Sequence, residues 1–386
     1  LHRFGELDAD VEPGTPVTRL PSTDAMLTEA IAIPEVLNEA TGSDFEAELS
    51  GDPQAYRLHL VRNKRTGAIK DEWQNWALLR DNFFPQVQYN ERTLNIEIAG
   101  NPLELPWRGD HHTSTEWGEA DLYGLCHEIE AEFGLRPSRS YVNELIVTAA
   151  QKHRVDPIRD WLMTLVWDGK PRVETCLPGA QDTAYNRLVA RKTLVAAVAR
   201  AFDPGVKWDH TTIFYGGEGL GKTWWIDTMA HGYSAPLGRI GEKDTLLTMR
   251  RSWISVADEG LSLKKADSDA LKAFITMRED VFREPYGREV RAHPRGNVFW
   301  GTTNDPIFLR KQVGNRRFLI VHCESAVDFA AITDDYVSQV WAEAVTLYQR
   351  GERLYLTPEE VVFMADGRSE YVEEDSLLGM LEEWLS

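Results

Sequence analysis

The stretch Thr211-Thr212-Ile213-Phe214-Tyr215-Gly216-Gly217-Glu218-Gly219-Leu220-Gly221-Lys222-Thr223 decides the reading of this 386-residue chain. Its first five residues are an apolar run of strand length, and the next eight fit the pattern G-x-x-x-x-G-K-[ST]. The glycines let successive backbone N–H groups approach a polyphosphate with no Cβ in the way. In such a loop Lys222 reaches the β- and γ-phosphates and the Thr223 hydroxyl ligates Mg²⁺. The positive end of the following helix faces the phosphates. Gly216, Gly217, Glu218, Gly219, Leu220, Gly221, Lys222 and Thr223 are therefore the candidate ATP site. A glycine-rich turn before a helix is the plainer alternative. The preceding strand and the helical segment 223–230 count against it.

Downstream, apolar runs at 253–257, 298–302 and 318–321 are strand-length, and helix-like segments such as 268–277 separate them. Short strands alternating with helices signal an α/β domain with a largely parallel sheet, beginning near residue 205. The run 253–257 ends in Asp258-Glu259, 36 residues beyond Lys222 (258 − 222). An acid at a strand end beside a phosphate loop can hold Mg²⁺ through its water shell, which suits Asp258. Glu259 suits a general base that polarises the attacking water; the alternative is an exposed acidic pair in a turn. The next strand leads to Asn304, whose amide could orient that water or sense the γ-phosphate, although Asn304-Asp305-Pro306 also favours a turn. Arg316 and Arg317 precede the last strand. They are either surface charges or arginines that reach a neighbouring subunit's γ-phosphate.

Upstream, residues 1–55 are acidic and rich in turn formers, with helical patches at 24–32 and 34–41. Strand-like alternation covers 57–61 and 93–98, and 72–80 reads as an amphipathic helix carrying Trp73 and Trp76. Leu122, Leu125, Ile129 and Phe133 recur at helical spacing, with Gly134 as the stop. Ser140 is a candidate cap for the next helix, and Pro157 marks the start of another. A long helix covers 184–202 and ends at Asp203-Pro204-Gly205. The expected organisation is a mixed region (1–118), a helical domain (119–204), the α/β core (205–325) and an acidic helical C-terminal segment (326–386).

The net charge of −19 argues at first against a partner as acidic as DNA. Segment by segment it changes meaning. Residues 261–320 carry 12 bases and 7 acids, net +5, whereas 321–386 carry 3 and 15, net −12. Within the basic stretch, Lys264, Lys265, Arg288, Arg291, His293 and Arg295 are candidate contacts to single-stranded DNA. The turn residues at both ends of 285–296 suggest a hairpin or loop with cations at its tip. A solvated charged loop is the alternative. No apolar run approaches a membrane span, and three scattered cysteines fit a reducing cytoplasm. His111-His112 with Cys126-His127 fit no standard zinc spacing. Trp224 and Trp225 read as core or adenine-side packing.

Several ordered blocks between His153 and Arg317 resemble the virulence-associated protein E family, whose members include helicase-like ATPases of phages and mobile elements. The carrying residues are Asp156-Pro157-Ile158-Arg159-Asp160-Trp161-Leu162 and Trp167-Asp168-Gly169-Lys170-Pro171-Arg172. Val198-Ala199-Arg200-Ala201-Phe202-Asp203-Pro204-Gly205 and the glycine loop come next. Arg283-Glu284-Pro285-Tyr286-Gly287-Arg288, Gly301-Thr302-Thr303-Asn304 and Gly314-Asn315-Arg316-Arg317-Phe318 complete the set. The resemblance implies an AAA+-like P-loop NTPase core related to superfamily-three helicases, below a mainly helical N-terminal region, working as a ring that is often a hexamer. It makes Lys222, Thr223, Asp258 and Glu259 the site of one subunit and Asn304 the sensor. Arg316 or Arg317 becomes the finger for the neighbour, and 286–295 the hairpin that grips single-stranded or forked DNA. Relatives often carry a primase domain upstream; this chain has no convincing set of primase carboxylates, so a separate primase or a further N-terminal part could supply that activity. The competing functions are a P-loop ATPase switch in a protein assembly without unwinding, and a monomeric small-molecule kinase.

Overall fold

The computed structural model of the protein describes residues 53–109, 113–257, 268–283, 289–304 and 317–369. The chain divides into two units, Leu1–Arg62 and Asn63–Ser386. In the first, the described residues form a 3-10 helix at Ala55–His59 rather than the strand that alternation at 57–61 suggests. The Arg57 N–H donates to the Gln54 carbonyl at 3.0 Å. That local turn prevails over an alternation only five residues long. The helices expected at 24–32 and 34–41 lie outside the described residues.

The second unit opens with α1 (Trp73–Asn82), β1 (Val87–Asn90), β2 (Asn95–Ile98), α2 (Glu119–Phe133), α3 (Arg139–Lys152), β3 (Arg154–Val155), α4 (Pro157–Thr164) and α5 (Ala184–Phe202). β1 pairs antiparallel with β2 and parallel with β3. The Asn90 side chain closes the β1–β2 turn by accepting from the N–H groups of Arg92 and Thr93 at 2.9 and 3.1 Å. Gly134 ends α2 in the left-handed conformation. Ser138, not Ser140, caps α3, its hydroxyl accepting from the Tyr141 N–H at 3.3 Å, so the helix starts earlier than the sequence suggests. Asp156 caps α4, accepting from the N–H groups of Ile158 and Arg159, with Pro157 at the first helical position.

The remaining elements are β4 (Thr211–Tyr215), α6 (Lys222–Met229), β5 (Ser234–Pro236), α7 (Lys243–Arg251), β6 (Ile254–Ala257), α8 (Ser268–Thr276), β7 (Glu279–Arg283), β8 (Val290–Pro294), β9 (Val298–Thr303), β10 (Phe318–His322), α9 (Asp334–Gln349) and α10 (Pro358–Ser369). Five strands form a parallel sheet in the order β10-β4-β9-β6-β5. Both faces are covered, which is why these strands read as continuous apolar runs. Successive residues still alternate between two cores. Phe214, Trp300, Leu319 and Val321 face one core, with Val198 and Ala201 of α5, Trp225 of α6 and Trp341 of α9. Ile213, Phe299, Phe318 and Ile320 face the other, with Met249 of α7 and Leu271, Phe274 and Ile275 of α8.

Trp225, Trp253, Trp300 and Trp341 are all fully buried. At about 150–250 Å² per ring and ~25 cal/mol/Å², each removes roughly 4–6 kcal/mol of apolar surface from water, before any conformational cost. Two of their N–H groups are satisfied by backbone: Trp253 donates to Ala197 and Trp341 to Met229, both at 2.9 Å. The long helix α5 thus shares one core with the sheet across residue 204, so packing continues through the boundary that the sequence suggests there. A buried ion pair joins the β1–β2 turn to the same body. Arg92 meets Asp156 at 2.8 Å and also donates to the Ser252 carbonyl at 3.3 Å, just before β6. Among the described residues, no helix is long and apolar enough to cross a membrane.

Candidate nucleotide site

Sheet order decides where a ligand crevice can open. β10 lies on one side of β4 and the other three strands lie on its opposite side, so the carboxyl end of β4 is a topological switch point. The glycine-rich loop leaves β4 at that point and runs into α6. Three backbone bonds pin it. The Gly216 N–H donates to Thr303 at the end of β9 (3.1 Å), the Cys323 N–H to Tyr215 (2.7 Å), and the Val327 N–H to Leu220 (3.0 Å).

Two glycines are there for identifiable reasons. A Cβ on Gly216 would come within 2.3 Å of the Cys323 carbonyl oxygen. Gly221 sits at φ 84° as the N-cap of α6, which few other residues tolerate, and brings no side chain to occupy the helix's first N–H groups. An uncapped helix N-terminus beside a glycine loop is an anion site by construction. Lys222 is buried, and its Nζ donates to the carbonyls of Gly216 (2.8 Å) and Gly217 (2.5 Å). The ammonium is therefore already turned into the loop.

The cleft so formed has a volume of about 340 Å³ and is lined by residues 218–224 together with Thr302, Thr303 and Asn304. Asn304 donates through Nδ2 to the Glu218 carboxylate at 2.9 Å, linking the end of β9 to the loop. Thr302 and Thr303, which share a block with Asn304 but are not expected site residues, join the lining through the β4–β9 pairing. Trp224 and Trp225 separate: Trp225 is core, stacked on Trp300 at 5.6 Å, whereas Trp224 is 38% exposed at the cleft wall. Burial pushes the Cys323 thiol beneath the loop up to about 12, against the opposing charge of Lys222.

The other expected residues fall in different places. Asp258, Glu259, Lys264, Lys265, Arg288 and Arg316, like His111 and His112, lie outside the described residues. Arg317 immediately precedes β10. It lines a separate cavity of about 440 Å³ with Lys207, His210 and Tyr355. In a parallel sheet, the register of Phe318 with Thr211 and His322 with Tyr215 sets Arg317 at the end opposite the glycine loop. Five residues at about 3.3 Å each separate the two by roughly 16 Å.

The basic stretch contains the antiparallel pair β7–β8, whose first strand lies upstream of the expected 285–296 segment, and two of the expected DNA contacts are structural. Arg295 is 2% exposed; its guanidinium forms a bidentate pair with Asp280 (2.9 and 2.7 Å), donates to the Phe274 carbonyl and lies over the Phe274 ring. His293 is buried and stacked on Phe282 at 4.2 Å. Both sit at the hairpin's base, so neither can meet a nucleic acid there, and we correct their assignment. Arg291 faces solvent near the tip, paired loosely with Glu289 at 3.3 Å.

Solved structures similar to the chain include three apo structures of the NrS-1 C-terminal region. They are 13–14% identical, with TM-scores of 0.41–0.42, and the match covers 76% of this chain and 74% of those chains. No curated protein matches the chain. Comparison with protein families matches residues 162–373, more than half of the sequence, to the virulence-associated protein E-like domain. That span contains the glycine loop, the parallel sheet and the β7–β8 hairpin, and the chain belongs to the virulence-associated protein E-like family.

Proposed function

We propose that this chain is an ATP-hydrolysing DNA helicase or translocase acting in the replication of a phage or mobile element, with an AAA+-like P-loop core. The observation that carries the reading is the buried Lys222 ammonium held inside a glycine loop, at the switch point of a parallel sheet, next to an uncapped helix N-terminus. The chemistry of this cradle fits a triphosphate: the donors are backbone N–H groups and one cation, and a Cβ at position 216 would collide with the Cys323 carbonyl on which the loop rests.

On this reading Lys222 leaves the loop carbonyls to neutralise the β- and γ-phosphates, and the Thr223 hydroxyl is the protein ligand to Mg²⁺. ATP with Mg²⁺ supplies the phosphoryl group that is transferred to water. Asn304, released from Glu218, orients that water, with Asp258 on the metal's water shell and Glu259 as general base. Arg317 lies a strand's length from its own loop, which favours a role at a neighbour's site and hence a ring of subunits, taken as a hexamer, over a monomeric kinase. Arg291 and the cations 264, 265 and 288 are the proposed DNA contacts, on single-stranded or forked DNA, in a cytoplasmic setting where a separate primase starts synthesis.

ATP turnover measured with and without single-stranded DNA, across protein concentration, tests the reading. The helicase predicts activity that rises with both, and loss of activity in Lys222→Ala. Turnover independent of both indicates the kinase. DNA-stimulated turnover without strand displacement indicates the switch. Near-normal turnover in Lys222→Ala removes the site.

A further inference from the structure

Beside the loop stands an aromatic pair that phosphate chemistry does not use. Trp224 follows Thr223 directly on α6, lines the cleft and remains 38% exposed. Phe329, 51% exposed, comes from the segment after β10 and meets the Trp224 ring edge to face, with centroids 4.7 Å apart and planes at 76°. Large aromatics are usually buried, and an exposed pair at the mouth of a cleft calls for an explanation.

The pair is built into the loop. A Cβ on Gly221 would fall 3.0 Å from Phe329 Cζ and 3.3 Å from Val327 Cβ, so the glycine that starts α6 also admits the Phe329 ring against the helix end. The Val327–Leu220 backbone bond holds the segment that carries Phe329 in place. The cleft is therefore polar at Lys222 and Thr223 and apolar one residue farther along the helix. A ligand with a polyanionic end and a flat apolar end matches that sequence of surfaces.

We propose that Trp224 is the base-stacking residue of the nucleotide site, with Phe329 as a positioning residue that holds its ring. The inference rests on the proposed ATP site and extends it to the base. Stacking reads the π-face of a base rather than its edge, so it accepts any purine and favours purines over the smaller pyrimidines.

Calorimetric titration of the full chain with ATP and with inorganic tripolyphosphate, each with Mg²⁺, separates the two ends of the site. Stacking predicts that Trp224→Ala weakens ATP binding roughly 5- to 150-fold and leaves tripolyphosphate affinity unchanged. Trp224→Phe should restore most of the ATP affinity, and Phe329→Ala should lower it less than Trp224→Ala does. Unchanged ATP affinity in Trp224→Ala, while the wild type binds both ligands, overturns the base assignment and leaves the phosphate site standing. An equal loss for both ligands overturns it too, because Trp224 then supports the loop rather than the base. Failure of the wild type to bind either ligand overturns the inference together with the ATP site.

Discussion

The Asp280–Arg295 pair decides whether the β7–β8 hairpin is held by electrostatics or merely decorated with charge. Asp280→Asn keeps the shape and removes the counter-charge from a guanidinium whose side chain is 1% exposed. Removing one partner of a buried pair leaves an uncompensated charge and costs about 3–5 kcal/mol. The unit Asn63–Ser386 holds about 320 residues. At roughly 2.1 cal/mol/K per residue its unfolding entropy is about 0.7 kcal/mol/K, so the midpoint should fall by about 4–7 °C. Differential scanning calorimetry reads this directly. The double variant Asp280→Leu/Arg295→Met exchanges the pair for apolar volume and should recover most of the loss. An Asp280→Asn midpoint within about 1 °C of the wild type would refute the reasoning.

Other predictions concern the loop, the proposed subunit contact and the thiols. Gly216→Ala places a methyl 2.3 Å from the Cys323 carbonyl; backbone must move, and nucleotide binding should fall well below wild type, as titration would show. Mixing Lys222→Ala with Arg317→Ala, each inactive alone, should restore ATP turnover, since one supplies the intact loop and the other the intact arginine. A mixture that stays inactive, or an active Arg317→Ala, argues against Arg317 in that role. The Cys323 thiol, raised from 9.0 to about 12 by burial, stays protonated in the folded state while the unfolded chain ionises. Its contribution to stability is complete below pH 9 and is lost as pH rises towards 12. Thermal midpoints across that range should fall in the wild type and fall less in Cys323→Ala.

Local chemistry made the centre of the molecule legible. β4 and α5 have the limits that the sequence suggests, because an apolar run before four glycines and a 19-residue helix closed by Asp203-Pro204-Gly205 admit few alternatives. The failures have a common cause in pairing and facing. Charge composition could not tell that His293 and Arg295 point inward, since Asp280 is 15 residues away and is brought close to Arg295 only by the hairpin. Thr302 and Thr303, unremarked beside Asn304 in their block, join the cleft through strand order, and Phe329, which carries no motif, meets Trp224 through the chain path after β10. Ser138 and Ser140 are equally good caps in isolation. In the folded chain the Ser138 hydroxyl accepts from the Tyr141 N–H, and the helix starts there.

Placing Lys222 and Arg317 at opposite ends of one parallel sheet gives the subunit a head and a tail. On the proposed mechanism, a functional junction joins the head of one copy to the tail of the next. A two-fold dimer, in which each tail meets the other copy's head, forms two such junctions at once and stops at two copies. A ring is instead a heterologous association, which either closes on itself or continues as an open spiral. The rotation between successive copies, not the affinity of any one junction, decides which. A mutation far from the cleft that alters this rotation by a few degrees would leave every catalytic group intact and still change a closed assembly into a filament.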